Sequence, residues 1–395
     1  MRRPVTIMFH SVGLDRFRWS YTRISEPVDY FASKMSALKE AGYSTTFFVP
    51  RQPATTDDRQ VALTFDDGYL DNWVHVFPIL KQHGFTATVF VTPEFVDPRD
   101  IVRPQREPSV AANAHDAAGC CAGFLSWPEL LEMERSGLVD VQSHGLTHDW
   151  YFKGPEIVDF WRPGAATEPG GPVWMLWNRF PELKPYYLTR AADLESEIPY
   201  GTPIYEHGKS LETRRYFPAR GPDLELPKLV EDHGGPEFFE RSDWREKLRA
   251  ASERPRATRE QGRWETEPEF LARVERELAE SKSSLESRLG KTVEAFCWPG
   301  GGVTENVLRI ARSVGYRRFT IPSRWRRGHA ADRSDDMVAR IASKSRIVWR
   351  GTDLGRPSPR EFVWYVRSAH NPMLYRWVSR AITARRLSRH YLSLG

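Results

Sequence analysis

Short apolar runs recur along the chain, each closed by turn residues and most followed by a longer amphipathic stretch. Runs rich in β-branched and aromatic residues at 4–9 (PVTIMF), 44–49 (STTFFV), 61–65 (VALTF), 86–91 (TATVFV), 138–142 (LVDVQ), 293–298 (VEAFCW) and 316–321 (YRRFTI) read as buried strands. A further one lies at 337–341 (MVARI). Helical patterns fall between them. The clearest covers 266–289, where Thr266 and Glu269 have the spacing of a capping box and Gly290 supplies the stop. Phe270, Leu271, Val274, Leu278, Leu285 and Leu289 form its apolar stripe. A second covers 26–41, with Ser25 as its cap and Gly42 as its stop; 127–136 and 303–313 are two more.

Strands alternating with helices predict an α/β fold with a parallel sheet, and about seven such units favour a distorted (β/α) barrel. The alternation breaks at 152–265, a stretch rich in Pro, Gly, Arg and Glu that carries Trp161, Trp174, Trp177, Trp244 and Trp264. It is too long for a plain loop, so it predicts a cap inserted over one face. The division expected is a barrel in two parts, 1–151 and 266–345, an insertion at 152–265, and a basic tail at 346–395.

The chain has 395 residues, 40% of them hydrophobic and 28% charged, enough for a sizeable core. No apolar run approaches the roughly 18 residues of a membrane span. The N-terminus reads as a strand rather than a signal peptide. Cys120 and Cys121 are adjacent, Cys297 stands alone, and no CxxC occurs, a usage that fits a reducing compartment. A cytoplasmic location is therefore expected. The net charge of +5 belongs to the tail: residues 371–395 hold Arg376, Arg380, Arg385, Arg386 and Arg389 and no acid, and without them the chain is balanced. That placement argues against a nucleic-acid partner. Asn371-Pro372 opens a helical pattern of Met373, Leu374, Trp377, Val378, Ala381 and Ile382 with the arginines between. Over 371–392 it reads equally as an element for an anionic membrane surface, peripheral on the inner face, and as a helix docked on its own domain.

Parallel α/β folds place their sites beyond the C-terminal ends of the strands. There this chain carries His10 after the first run, Asp66 and Asp67 after VALTF, His144 and His148 after LVDVQ, and Pro299 to Gly302 after VEAFCW. His144 and His148 stand four apart, which puts both imidazoles on one side of a helical turn. One carboxylate and two imidazoles suit zinc or a similar ion, and the second acid can then serve as a base beside it. Either motif alone is commonplace; both at strand ends is not. Asp71 is expected to cap the next helix and Arg340 to form an ion pair near the rim. His207, His329 and His370 read as ordinary surface residues, and the Trp residues of the insertion as packing or as platforms for sugar rings.

The segments TFDDGY, SHGLTH, FLSWPELLEMERSGLVDVQSH and the opening IMFHSV…FASKMSALKEAGY resemble the polysaccharide deacetylases (NodB homology, carbohydrate esterase family 4) over roughly 1–150 and 266–345. The resemblance implies Asp66 as general base and Asp67, His144 and His148 as ligands of one divalent ion, most simply Zn2+. It further implies a circularly permuted arrangement in which His10 inherits the role of general acid. The family's third motif departs here to CWPGGG, losing its Arg and Tyr. Gly300 stands at the Tyr position and keeps the backbone N–H for an oxyanion, with Trp298 and Pro299 on the substrate rim. The implied activity is N-deacetylation of an N-acetylated sugar in a glycan or lipid-linked saccharide. A catalytically inactive glycan-binding relative and an amide hydrolase or deformylase acting on another small substrate are the competing readings.

Overall fold

Val5–Phe9, Gln60–Phe65, Ala87–Val91, Val139–Ser143, Ala295–Phe296 and Arg318–Thr320 form neighbouring parallel strands of one sheet. The computed structural model describes residues 3–14, 24–51, 59–106, 121–253, 262–321, 335–343 and 345–392; Cys120 and His329 lie outside them. The two ends of the sheet meet in one run of chain. Met337–Val338 pairs with Arg318–Thr320, and after Ala339 the same run, as Arg340–Ala342, pairs with Val5–Phe9. The parallel sheet therefore closes into a distorted α/β barrel. Ser44–Thr46 pairs with the first half of Gln60–Phe65, and Ala87–Val91 with its second half.

The strands are short and almost wholly buried, because helices cover their outer faces and side chains fill the inside. Val28–Glu40, Trp127–Arg135, Glu267–Leu289 and Glu305–Val314 contribute buried stripes to a single large apolar core. Two of these helices start on complete capping boxes, Ser126/Glu129 and Thr266/Glu269. Ser25 caps nothing: Pro27 precedes the first helix, and the Ser25 hydroxyl accepts from the Leu14 N–H and hydrogen-bonds the Ser11 oxygen.

The inserted region opens with a long antiparallel hairpin, Trp150–Phe160 against Pro203–Lys209. Between its strands, Trp161, Trp174, Leu176, Trp177, Tyr187 and Leu188 pack into the barrel's own core. The rest of the insertion builds a smaller core of Phe160, Leu226, Val230, Phe238 and Leu248.

After the barrel come two helices, Pro359–Ser368 and Pro372–Leu392. The second docks Ile382, with Tyr375, Val378 and Leu387, on Ile347, Leu354 and Tyr365. It also ties Arg386 to Glu361 and to the Leu354 carbonyl. Its other face leaves Met373, Leu374 and Trp377 in solvent. Among the described residues no helix is long and apolar enough to cross a membrane.

One fully buried ion pair braces the closing strand. The Lys34 ammonium meets the Glu26 carboxylate, donates to the Ser343 carbonyl at 2.8 Å and lies 4.9 Å from the centroid of Phe362. Removing one partner strands a buried charge, so Lys34→Met should cost about 3–5 kcal/mol. The double change Glu26→Gln, Lys34→Met should recover most of it. Denaturant unfolding of the three proteins measures both.

Candidate active site

Asp66 and Asp67 leave the end of Gln60–Phe65 into the barrel mouth, and the chain must turn at once to clear it. Asp67 sits at φ +74° and Gly68 at φ +79°. His148 is also left-handed, at φ +56°, a conformation that costs a non-glycine residue of order 1 kcal/mol or more. Among the described residues the only other such non-glycine is Arg350. Strain at two neighbouring polar side chains marks positions that the surroundings over-determine.

The four-residue spacing of His144 and His148 does not form a helical turn. Residues 144–149 are an irregular loop, and it is the left-handed His148 that swings its ring back beside His144, with centroids 5.2 Å apart. Outer groups clamp this loop. Glu277 accepts from the Leu146 and Thr147 N–H groups, both at 2.9 Å. Buried Lys184, from the insertion, donates to Asp149 at 2.7 Å and to the Thr147 carbonyl at 2.9 Å, and pairs with Glu94. Trp177 and Phe95 pack against the His148 ring.

The structure brings Asp67, His144 and His148 together, with their ligand atoms all within 4.8 Å of one another. Asp67 Oδ1 lies 3.1 Å from His144 Nε2 and 3.5 Å from His148 Nε2. His144 Nδ1 sits 2.9 Å from the Cys297 carbonyl, which can only accept, so Nδ1 carries a proton. In a neutral ring the Nε2 lone pair then faces a carboxylate. Positive charge must lie between them. Burial works against a protonated His144, but Cys297, Asp67 and Asp66 overcome it and hold the ring's pKa well up. His148 is pushed down to about 3 by burial and by the charge of Lys209, which leaves its ring neutral. Zinc bonds of about 2.0–2.2 Å at tetrahedral angles set ligand atoms roughly 3.3 Å apart, close to the spacing seen. The donor set fits a divalent cation.

Asp66 is the other acid. Arg340, on the run that closes the barrel, grips it with two hydrogen bonds at 2.6 and 2.8 Å. Burial alone would raise the Asp66 pKa; the Arg340 charge and hydrogen bonds outweigh it and hold the carboxyl below its usual range. The Arg missing from the CWPGGG segment thus has a counterpart on another strand. His10 Nε2 stands 3.8 Å from Asp66 Oδ2. Asn72 donates to the His10 carbonyl at 3.0 Å. Asp71 does not cap a helix: it accepts from the Ser11 hydroxyl, the Val12 N–H and Asn72, bracing the segment just after His10, and burial pushes it up to about 8.

These side chains open into one cavity of about 970 Å³. Trp298, Gly300 and Gly301 line it, while Pro299 is buried behind them. The insertion supplies the far wall, with Trp174 and His207 facing Trp150, which ends the ligand loop. His207 is therefore a cavity residue rather than a surface one, while His370 is exposed. Lys209, which the sequence did not single out, also reaches this cavity. Its one trace in the sequence is indirect: three consecutive glycines that leave room for a side chain from elsewhere. Trp161 donates its indole N–H to the Glu195 carbonyl, and Trp244 packs on Phe239 within the insertion.

The family model described as polysaccharide deacetylase matches residues 53–162. A Bacillus subtilis (strain 168) protein, YxkH, named as a polysaccharide deacetylase, is 33% identical over 92 residues; that is 22% of this chain and 30% of YxkH, under a third of its length. Solved structures similar to this one include a de-N-acetylase from Aggregatibacter actinomycetemcomitans, at 15% identity and TM-score 0.49 over 89% of this chain and 98% of that one. Another is the BpsB deacetylase domain of Bordetella bronchiseptica, at 18% identity and TM-score 0.46 over 86% and 95%.

The clamp on the ligand loop has a pH signature. Burial pushes Glu277 up to about 7 from the ordinary 4.5. Between those values the folded chain holds a proton that the unfolded chain releases, so this group's contribution to stability falls as pH rises through that window. Glu277→Gln keeps the accepting oxygen and removes the titration. Its melting temperature should match or exceed the parent's at about pH 8 and vary less between about pH 5 and 8. Glu277→Leu, lacking the acceptor, should lower zinc affinity about tenfold in a competition titration.

Proposed function

We infer that this chain, a member of the polysaccharide deacetylase family, is a metal-dependent hydrolase that removes the acetyl group from an N-acetylated sugar. The observation that carries the reading is an ionised, Arg-held Asp66 directly beside the cation-demanding set of Asp67, His144 and His148. A divalent ion on that set supplies Lewis-acid polarisation of the acetyl carbonyl and lowers the pKa of water. Asp66, kept as a carboxylate by Arg340, takes the proton of the attacking water. The Gly300 backbone N–H, on the turn that lines the cavity, is the group we assign to the oxygen on which charge develops. His10, whose Nε2 stands 3.8 Å from Asp66 Oδ2, donates to the departing amine, and such a group is worth about 10²–10⁴ in rate. Trp150, Trp174 and His207 offer ring faces to the sugar. A glycan-binding module without chemistry has no use for a buried carboxylate held ionised at the cavity floor, which favours the enzyme over that alternative.

Acetate release from N-acetylated oligosaccharides, with zinc or cobalt added, tests the reading. Asp66→Asn should fall at least about 10²-fold while keeping its metal. His144→Ala should lose both metal and activity, since two protein ligands rarely hold zinc. Equal background release by all three proteins would end the enzyme reading, and stoichiometric zinc in His144→Ala would end the ligand set.

The finer reading of the partner is a lipid-linked saccharide at an anionic membrane surface. Its support is the C-terminal helix, which docks one face and presents Met373 (77% exposed) and Trp377 (69% exposed) on the other, with Arg376 and Arg380 between. Pro372, Tyr375 and Arg376 of the same helix line the mouth of the active-site cavity. Each basic residue near such a surface adds about 1 kcal/mol of attraction. The full chain should pellet with anionic vesicles at low salt. Met373→Ser, Leu374→Ser, Trp377→Ser together should not, while keeping the docked face intact. If the parent stays in the supernatant, a soluble glycoside is the better substrate.

A further inference from the structure

Lys209 ends the second strand of the inserted hairpin and is paired in register with Trp150, two residues beyond His148. The hairpin therefore grows directly out of the ligand loop, and its last residue returns to the site. The lysine arm runs along the glycine turn. A Cβ on Gly300 would overlap Lys209 Cε, and one on Gly302 would fall 2.6 Å from Lys209 Cβ. At Gly300 and Gly302 the Lys209 side chain fills the space a Cβ would take, and Gly300 and Gly301 also sit at φ +54° and +75°. Its ammonium lies 3.6 Å from the Trp150 ring centroid and lines the cavity. Asp67 and His148 both feel its charge. Among the described residues no carboxylate pairs with it.

We propose that Lys209 is a catalytic residue that donates a hydrogen bond to the developing oxyanion, sharing it with the Gly300 N–H. The inference rests on the deacetylase reading and adds to it a group from the insertion. Its geometry has three sides: the turn on one, Asp67 and His148 on another, and Trp150 beneath. Lys209, Gly300 and Asp66 line the same cavity, so an acetyl carbonyl beside the turn can present its carbon to a water activated by Asp66. As the water oxygen bonds to that carbon, the C=O π pair moves onto the carbonyl oxygen. When the pair returns, the C–N bond breaks, its electrons go to nitrogen with the proton from His10, and acetate remains. Lys209 passes no proton in these steps; burial lowers its pKa to about 7 against the opposing pull of Asp67, and its protonated form acts by charge and hydrogen bonding alone. In water such a contact is weak; in a cavity walled by Trp150, Trp174 and Trp298 it is strengthened.

The test uses the full chain, its Lys209→Met variant, which keeps the apolar arm on the turn and on Trp150, and Lys209→Arg, which restores a cation. Two readouts are needed: acetate release from an N-acetylated chito-oligosaccharide with zinc present, and acetate binding followed by NMR titration. Removing one oxyanion donor typically costs about 10²–10³ in kcat. The expected result for Lys209→Met is a loss of that size in kcat with KM within about threefold, an unchanged zinc content, and acetate binding weakened about tenfold. Lys209→Arg should recover most of the acetate binding. The proposal is overturned if Lys209→Met matches the parent in kcat, if its loss lies entirely in KM, or if it binds acetate as tightly as the parent. A parent that binds acetate through Lys209 but releases none from any glycan would sink the deacetylase reading and leave Lys209 as the oxyanion-binding group.

Discussion

Two adjacent carboxylates at the end of a buried strand are unstable unless each is answered separately, and the rest of this molecule follows from how that is done. Asp66 is answered by Arg340, whose guanidinium reaches it with two short hydrogen bonds. Arg340 can do so only because the run 337–342 passes from Arg318–Thr320 to Val5–Phe9 and closes the barrel. The run that closes the sheet thus also carries the charge that keeps the proposed base ionised. Asp67 is answered by His144 and His148, whose Nε2 atoms stand 3.1 and 3.5 Å from its Oδ1, while the proton on His144 Nδ1 goes to the Cys297 carbonyl. The same carbonyl thereby fixes which imidazole nitrogen faces the site.

The insertion is part of this arrangement and does more than cover it. Lys184 and Trp177 hold the His148 loop from outside, and Lys209 enters the cavity itself. Loops with left-handed polar residues relax unless their surroundings forbid it. Here Glu277 from the long barrel helix and Lys184 from the insertion forbid it from two directions. The glycine turn and the lysine are similarly matched: a Cβ at Gly300 or Gly302 would meet the Lys209 side chain.

The C-terminal helices add a third layer. Buried Lys34 joins the first barrel helix to the end of the closing strand and to Phe362 of the helix Pro359–Ser368. The last helix then spans from the Glu361 ion pair to the cavity mouth. Its apolar residues divide between the two faces, so docking on the domain and presenting Trp377 outward are compatible in one helix.

Much of the barrel was legible in the sequence, because each strand is short, apolar on both faces and closed by turn residues, and because capping boxes such as Thr266/Glu269 are local. For the same reason the residues at the strand ends, His10, Asp66, Asp67 and His144, could be named before any fold was known. The partners of those residues could not. That Arg340 meets Asp66, that Glu277 holds Thr147, and that Lys209 lies on Gly300 are contacts across roughly 90 to 270 residues of chain, set by sheet closure and the return of a hairpin, and no local pattern records them. The helical turn read into His144 and His148 misled for the opposite reason: a four-residue spacing fixes side-chain direction only where the backbone is helical, and here the packing of Glu277, Lys184 and Trp177 holds a left-handed loop instead. Sequence by itself determined the strands and the chemistry at their ends; only the tertiary structure decided which charge neutralises which, because buried charges are settled by distance in space and not by spacing along the chain.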